Sequence, residues 1–447
     1  MNSAKFRLAL LVALSCAGLT SSGCASMWSA RERSSHAATL AVPPAAPLAA
    51  DETARGRSIR FLEERVRLDP EDFGAQNKLA AHYLRVLHET GNVQYLDLAA
   101  RAARASLDSV PEVRNPGGLS ALALSEFAAH QFSAARDHAL RLAQLEPDKS
   151  YPYAMLGDAL LELGDYEQAA AAFRQMERRG GGIDENTETR QARLAQLRGD
   201  DLGAMRHFTR ALALALNLPA PPREFVAWCR WQLGETAFAA GNYEIAEKHY
   251  HDALTTFPNY YRALASLGRV RAARGDLTGG VEHYEQVVRR LPDPVFVAAL
   301  GDLYKLAGKE KEAAAQYALV EQIARLSALN GALYNRPLAL FYADHDMKAQ
   351  EAYALAAKEY EVRRDIYGAD ALAWTALKAG RISEAQAAIK EALRLGTRDA
   401  KLFYHAGMIA RAAGDTAAGR DYLQRALKLN PQFDSLQAAQ ARRILGN

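Results

Sequence analysis

A pattern of apolar and small residues recurs about every 34 residues along most of the chain. One copy begins at Leu233 and Gly234, continues through Gly241 and Ala246, and ends at Pro258. A period of this length predicts an array of short repeated units, each unable to bury its apolar face alone. Further copies, some of them weaker, begin near Leu79, Leu122, Leu156, Ala192, Leu267, Leu300, Leu340, Leu372 and Ala406.

Within each copy the pattern predicts two helices joined by a tight turn. Glycine inside a helix costs about 1 kcal/mol relative to alanine, so its recurrence at one position indicates a close contact between helices. Pairs such as Gly275-Asp276 end the first helix with a left-handed residue and cap the second. Prolines such as Pro292 end the second helix. The recurring mid-helix glycines are Gly234, Gly268, Gly301 and Gly407.

These residues and their spacing resemble the tetratricopeptide repeat, a helix-turn-helix unit, over nearly all of residues 73–447. The resemblance implies an all-α fold, an α-solenoid or superhelix of about ten such repeats. Because each helix pair packs on its neighbours, both ends of the array need a cap. We expect a helix from Ser58 to Leu68 before the repeats and a capping helix from Ser435 to Leu445 after them.

A cluster of three prolines interrupts the repeats between Leu216 and Arg223. It divides the array into an N-terminal part, residues 58–217, a Pro-rich loop or hinge, residues 218–225, and a C-terminal part with its capping helix, residues 226–447. A long surface loop between two stacked repeats is the simpler interpretation. A hinge between the two parts is the alternative.

Residues 1–23 resemble the signal peptide of bacterial lipoproteins. A short basic start precedes an apolar run from Leu8 to Leu19, which is too short to cross a membrane and is typical of a signal peptide. Small residues then lead into Cys24, the position that is lipidated in such proteins. Ser21 departs from the pattern, which usually has an aliphatic residue there. The alternative is an ordinary secretory signal, with Cys24 incidental.

Residues 24–57 are rich in alanine, serine and proline, and this composition predicts a flexible tether. Acyl chains on Cys24 would attach the tether to a membrane. Ala25 resembles the second residue of lipoproteins that are sent to the outer membrane. We therefore expect a bacterial cell-envelope location, with the protein lipid-anchored at the outer membrane and facing the periplasm if the organism has two membranes.

Charge and cysteine content exclude several classes of protein. The 55 Lys and Arg residues nearly balance the 52 Asp and Glu residues, whereas a nucleic-acid binder that depends on bulk charge has a strong basic excess. Three cysteines allow neither a disulfide framework nor a four-cysteine zinc site. The chain also lacks the spacing of a zinc-protease helix, a phosphate-binding loop and a serine nucleophile elbow. We expect no catalytic residue, no cofactor and no metal.

In the family that the repeats resemble, the first helices of the pairs line a concave groove where ligands bind. Aromatic and arginine side chains, which dominate binding hot spots, occur at these positions. Some of the aromatic residues must also pack between helices. The groove candidates are Tyr151, Asp158, Arg193, Trp228, Trp231, Glu235, Phe238, Arg262, Arg269, Asp302, Lys305, Trp374, Tyr404 and Arg411.

Together these resemblances imply a lipid-anchored scaffold or adaptor of the cell envelope that binds protein segments in its groove. Its setting would be the assembly of an envelope or secretion complex. The alternative is a glycan- or polymer-binding accessory of an export system, because tryptophan and tyrosine rings can stack on sugars. Competition by peptides or by soluble polysaccharide distinguishes the two.

The lipid anchor is tested by replacing Cys24 with serine in the full chain. We expect the wild-type protein to carry the added mass of a diacylglycerol and to partition into membranes, since a serine hydroxyl cannot take the place of the thiol. The Cys24→Ser protein should lack both properties in intact-mass and partition measurements. If both proteins are unmodified and leave the membrane, the anchor is disproved.

Overall fold

The computed structural model describes residues 41–48, 52–329 and 335–446. The predicted signal peptide and Cys24 lie outside these ranges. The described residues form twenty-two α-helices and no strand. In chain order they are α1 Glu52–Leu68, α2 Phe73–Thr90, α3 Gln94–Ser109, α4 Pro116–Ala128, α5 Phe132–Leu145, α6 Tyr151–Glu162, α7 Tyr166–Gly180, α8 Glu185–Leu197, α9 Asp201–Leu216, α10 Arg223–Ala239, α11 Tyr243–Thr256, α12 Tyr261–Ala273, α13 Leu277–Val288, α14 Pro294–Leu306, α15 Glu310–Leu329, α16 Asn335–Asp344, α17 Ala349–Val362, α18 Ile366–Lys378, α19 Ile382–Ala392, α20 Ala400–Ala412, α21 Thr416–Leu429 and α22 Gln437–Leu445.

The helices α2 to α21 pair into ten antiparallel hairpins, so the predicted α-solenoid of about ten repeats is confirmed. The helix α22 closes the array as expected. The helix α1 precedes it but begins at Glu52, six residues before the predicted start. None of the helices in the described ranges combines the length and the apolar character that crossing a bilayer requires.

The mid-helix glycines lie where the two helices of a hairpin are closest. A Cβ atom at Gly268 would lie 2.6 Å from the ring of Tyr284, and one at Gly301 would lie 2.5 Å from the ring of Tyr317. Gly234 contacts the ring of Tyr250 even more closely. Because real Cβ atoms do not approach other atoms this closely, only glycine permits these contacts, as the sequence pattern predicts.

The turns inside the hairpins contain the predicted left-handed glycines and capping residues. Gly275 has a φ of 91°, which ends α12, and the side chain of Asp276 accepts a hydrogen bond from the backbone N–H of Gly279 to cap α13. Asn242, at the equivalent turn, makes no such side-chain bond. The predicted turn pattern therefore holds, although not every cap residue uses its side chain.

The described residues divide into two compact units. The first comprises residues 52–159 and 167–186, and the second comprises residues 41–48, 160–166 and 187–446. The Pro-rich loop between α9 and α10 lies inside the second unit, and these two helices pack against each other. The long surface loop is thus compatible with the packing, and the hinge stays an untested prediction.

The first unit contains a polar network at the start of α4. Asn115 caps α4 by accepting a hydrogen bond of 3.0 Å from the N–H of Gly118. Its side-chain amide donates to the hydroxyl of Ser106 at 2.8 Å, and its oxygen accepts from Asn77 at 2.8 Å. These bonds join α2, α3 and α4 beside an apolar core of leucine and alanine.

In the second unit, loops that are about 200 residues apart pack on each other. At the loop between α6 and α7, Arg363 forms an ion pair of 2.5 Å with Glu162, and the hydroxyl of Tyr166 accepts a hydrogen bond of 2.8 Å from the N–H of Ile366. The loop between α8 and α9 is joined in the same way, since Thr397 donates to the carbonyl of Leu197.

The loop between α10 and α11 makes the third such contact. The side-chain amide of Asn430, which is completely buried, donates to the carbonyl of Phe238 at 2.9 Å. Its oxygen accepts from the hydroxyl of Tyr243 at 2.5 Å. Each of the three loops lies inside a hairpin, and its partner loop follows a hairpin five and a half hairpins further along the chain. The first two partner loops lead into the next hairpin and the third leads into α22. The second unit is therefore a superhelix whose second turn packs on its first.

The predicted tether over residues 24–57 is wrong in two places. Residues 52–57 already belong to α1. Residues 41–48 are extended and contact the second unit, where the side chain of Arg230 donates hydrogen bonds to the carbonyls of Pro43 and Pro44. Composition predicted a flexible segment here because it carries no information about a partner that is nearly 190 residues away.

Replacing Gly234 with alanine tests the close helix contact. Overpacking a tight interface typically costs about 1–3 kcal/mol, which exceeds the gain of up to about 1 kcal/mol in helix propensity. We expect Gly234→Ala to lower the urea midpoint at which helical circular dichroism is lost.

Gly56, in α1, is the matched control, because a Cβ there would have its nearest neighbour at 3.6 Å. Gly56→Ala should leave the midpoint unchanged or raise it. An unchanged or higher midpoint for Gly234→Ala would show that the contact does not require glycine.

Candidate functional site

Three ionisable residues occupy the same register on consecutive first helices of the second unit. Glu235, Arg269 and Asp302 each directly follow the glycine that contacts the second helix of their hairpin. Successive residues in an α-helix are rotated by about 100°, so these side chains lie to one side of the glycine contact. The hydroxyls of the second-helix tyrosines still reach two of them, since Tyr250 donates to Glu235 and Tyr317 to Asp302. The register thus places a row of charged groups along one side of α10, α12 and α14.

Glu235 and Arg269 form the centre of this row. Nη2 of Arg269 lies 2.6 and 2.7 Å from the two carboxylate oxygens of Glu235. The same carboxylate accepts hydrogen bonds from the hydroxyls of Tyr250, at 2.7 Å, and Ser266, at 2.8 Å. Glu235 therefore holds Arg269 in place, while the Arg269 side chain stays 31% exposed.

Electrostatics keep Arg269 charged. Burial alone would lower the pKa of Arg269, but the negative charge of Glu235 raises it above its ordinary value. The guanidinium also lies 4.1 Å from the ring centre of Phe238, a cation–π contact that fixes its plane. Its Nε atom is buried and has no hydrogen-bond partner among the described residues.

Arg262 lies two helical turns before Arg269 on α12, so both point to the same side. It lies over two aromatic rings, with its guanidinium carbon 5.4 Å from the ring centre of Trp231 and 5.0 Å from that of Tyr261. None of the ion pairs between described residues includes Arg262. Phe296 on α14 extends the aromatic surface through an edge contact with Tyr261. We call Trp231, Arg262, Arg269, Tyr261 and Phe296 the α12 patch.

Asp302, the third residue of the row, is joined to a histidine. His345 Nε2 lies 2.7 Å from the Asp302 carboxylate, and its Nδ1 lies 2.7 Å from the carbonyl of Phe341. Burial would lower the pKa of His345, but the bond to Asp302 and the carbonyl raise it above its ordinary value. Both ring nitrogens face acceptors, so the site suits the protonated imidazole.

The neighbouring residue Asp344 belongs to a second buried cluster. It accepts hydrogen bonds from Trp374 Nε1 at 2.8 Å, from Lys401 at 2.9 Å and from Gln437 at 2.6 Å. Lys401 also pairs with Asp434 at 3.3 Å. These bonds pack the turn that follows α16 against α18, α20 and α22.

Several predicted groove residues belong to the core. Trp374, Tyr404 and Phe238 are at most 1% exposed, Asp158 and Trp228 are also buried, and Trp231 keeps only 8% of its surface exposed. The indole of Trp374 stacks on His405 at 4.3 Å. Side chains this deeply enclosed support the helix packing and have no surface left for a ligand.

The remaining candidates are scattered. Tyr151 donates a hydrogen bond to Glu146 in the first unit, and Arg193 lies over the ring of Tyr367. Lys305 is exposed, and Arg411 is exposed but packs beside Gly419 on the second helix of its own hairpin. Within the second unit the structure brings together Trp231, Glu235, Phe238, Arg262 and Arg269, and it places Asp302 further along the same row.

Sequence reasoning missed the partners that position this site. Ser266, Tyr250 and His345 each bind a residue of the charged row, yet none was expected to do so. The signal for Tyr250 was present, since it follows the small residue Ala246 by one turn on the helix facing Gly234. No group of three or more His, Cys, Asp or Glu side chains in the part of the chain that the structure describes is arranged to hold a metal ion.

Two family models match the chain, and both are described as tetratricopeptide repeat. One matches residues 184–259. The other matches residues 120–182, 232–293 and 371–446. Together they span more than half of the chain and include the whole α12 patch except Phe296. A search of curated protein sequences finds no match for this chain.

Several solved structures are similar to the chain in fold. PilW, titled a widely conserved type IV pilus biogenesis factor, is 16% identical over 46% of this chain and 91% of its own, with a TM-score of 0.39. A tetratricopeptide repeat protein from Parabacteroides merdae is 14% identical over 59% of this chain and 99% of its own, with a TM-score of 0.33. A dimer of human IFIT1 with PPP-AAAA is 13% identical over 86% of this chain and 96% of its own, with a TM-score of 0.45.

Proposed function

The chain belongs to the tetratricopeptide repeat family, and from that premise we propose that it is a lipid-anchored scaffold of the cell envelope. It binds protein segments along the first helices of its second unit. By holding such segments near a membrane it supports the assembly of an envelope or secretion complex. It carries out no catalysis.

The observation that supports this proposal most is the state of the two arginines in the α12 patch. Arg269 is held by Glu235 with part of its guanidinium exposed, and Arg262 lies over two rings without a carboxylate partner among the described residues. Fixed guanidinium groups beside aromatic rings are typical of binding hot spots. They favour a segment with a carboxylate next to apolar side chains, because a charge-assisted bond and aromatic burial then form together.

A lipid anchor at Cys24 would place this binding at a membrane surface. Acyl chains on the mature N-terminus would restrict the protein to a thin layer at the membrane surface. Partners fixed to the same surface would then meet it at a raised effective concentration, so moderate affinity is sufficient. The small residues that directly precede Cys24 in the sequence support this part of the proposal.

The glycan-binding alternative has less support. Stacking on a sugar requires an open aromatic face, whereas Trp228, Trp231 and Trp374 are each at most 8% exposed. Tyr261 and Phe296 are half-buried and offer smaller rings. A polysaccharide that competes for the α12 patch remains the outcome that would favour this alternative.

Binding to defined peptides tests the proposed function. The probes are fluorescent twelve-residue peptides with one central glutamate between leucine and phenylalanine residues, compared with the same peptides carrying lysine in its place. We expect the full chain to bind the acidic set and not the basic set in fluorescence anisotropy. Arg262→Met should weaken binding about tenfold or more, because a hydrogen bond to a charged group contributes about 1.5–3 kcal/mol.

Arg262→Met is a suitable variant because Arg262 forms no ion pair with a described residue, and methionine retains an apolar side chain beside Trp231. Arg274→Met is the matched control, since Arg274 lies at the end of the same helix but pairs with Glu247 on α11. It should bind like the wild type. The proposal would be contradicted if acidic and basic peptides bound equally, or if Arg262→Met had no effect on binding. It would also be contradicted if soluble polysaccharide displaced the bound peptide.

A further inference from the structure

The side chain of Arg230 is completely buried, yet no carboxylate in the described part of the chain forms an ion pair with it. None of the ion pairs between described residues includes Arg230, and its Nε atom has no hydrogen-bond partner among them. A guanidinium removed from water is costly unless other groups replace its hydrogen bonds. Burial accordingly lowers the pKa of Arg230, and the nearby Asp252 only partly opposes this effect.

Two main-chain carbonyls of residues 41–48 supply the missing bonds. Nη1 of Arg230 donates to the carbonyl of Pro43 at 3.0 Å, and Nη2 donates to the carbonyl of Pro44 at 2.8 Å. The two nitrogens of one planar guanidinium thus hold two successive residues of an extended chain. Because both nitrogens bond at once, this fork binds the segment and also determines which two residues lie beside Arg230.

The segment is suited to this contact by its own conformation. Proline fixes its φ near −65°, and a residue before proline is restricted to extended geometry, so Val42, Pro43 and Pro44 have little freedom to lose. Burial along the segment recurs every three residues at Val42, Ala45 and Leu48, which are partly buried. Pro43 is also partly buried, whereas Ala41, Pro44, Ala46 and Pro47 are exposed. Three residues per turn is the period of the polyproline II helix, so one side of such a helix lies on the protein.

This contact is separate from the α12 patch. Arg230 precedes Gly234 by four residues and so shares its side of α10, the side that faces α11. Trp231, the next residue along the helix, is rotated from it by about 100°. The proline segment therefore leaves the row of Glu235 and Arg269 available to a partner.

We infer that Arg230 and its surroundings form a second binding site, which recognises two successive carbonyls of an extended, proline-containing segment, and that its occupant is residues 41–48 of the same chain. We call this bound segment the strap. It belongs to the linker between the N-terminus and the repeats. The linker is thereby fastened to the body of the protein well before α1 begins.

The strap limits how far the body can move from its anchor. An extended chain spans at most about 3.3–3.6 Å per residue. This consequence rests on the proposed function, which anchors the chain at Cys24. With the strap, the first fixed residue is Ala41, within about 60 Å of the anchor. Without the strap it would be Glu52, within about 100 Å of the anchor. The strap itself does not depend on the lipid, and its test requires none.

Cleavage of the full chain by elastase between Ala45 and Ala46 tests the inference, because proteolysis needs the segment to leave the protein surface. We expect Arg230→Met to be cut about tenfold faster or more than the wild type, since two bonds from a charged donor are lost. Mass spectrometry of the fragment that begins at Ala46 measures the rate. Arg274→Met should be cut at the wild-type rate.

A second pair of variants tests the strap without touching the repeats. Val42→Asp places a charge on the partly buried side and should raise the cleavage rate, whereas Ala41→Asp, on the neighbouring exposed residue, should not. The wild-type rate should also be independent of protein concentration. The inference would be overturned if Arg230→Met and wild type were cut at equal rates, or if the two aspartate variants were. It would also be overturned if the protection disappeared on dilution, as expected for a segment that binds a second copy.

Discussion

The absence of a side chain at one position in the first helix of several hairpins is the constraint on which the remaining structure depends. At Gly234, Gly268 and Gly301 the ring of a tyrosine from the second helix occupies the space that a Cβ atom would need. The close approach sets the distance between the two helices and thereby the shape of each hairpin. It also positions the next residue, because the tyrosine that packs on Gly234 donates a hydrogen bond to Glu235, and the one that packs on Gly301 donates to Asp302. Packing and the candidate site thus have a common origin.

The superhelix adds contacts between its successive turns to those between neighbouring hairpins. In most repeat arrays each repeat contacts only its neighbours, so stability is close to a sum of local terms. Here the second unit has contacts between its turns as well, through Glu162 and Arg363, Leu197 and Thr397, and Phe238 and Asn430. Such contacts couple hairpins that are distant in sequence. They hold the first helices in a fixed arrangement, so a ligand does not need to order them, and less affinity is lost on binding.

The sequence predicted the repeated features well and the unique ones poorly. Hairpins, glycine contacts and turns recur, so weak signals accumulate over ten copies, and α22 follows from the need to cover an open end. The bonds of Asn430 and Arg230 occur once each and join residues about 190 positions apart, and no periodicity reports them. Some groove candidates belong to the core for a related reason. The register identifies the first helices, but it does not distinguish Trp374, which the adjoining hairpin covers, from Arg269, which stays partly exposed.

Hydrogen–deuterium exchange of an Asn430→Ala variant tests most directly whether packed turns hold the second unit together. Removing the side-chain amide takes one of its two donors from the carbonyl of Phe238, which still accepts from the N–H of Gly241, and takes a partner from Tyr243. We predict that exchange in residues 237–243 rises about tenfold, a loss of about 1–3 kcal/mol of local stability, although they lie far from the substitution in sequence. Asn217→Ala, at an exposed helix end, should change exchange only around residue 217. Faster exchange confined to the neighbourhood of residue 430 would contradict the coupling of the turns.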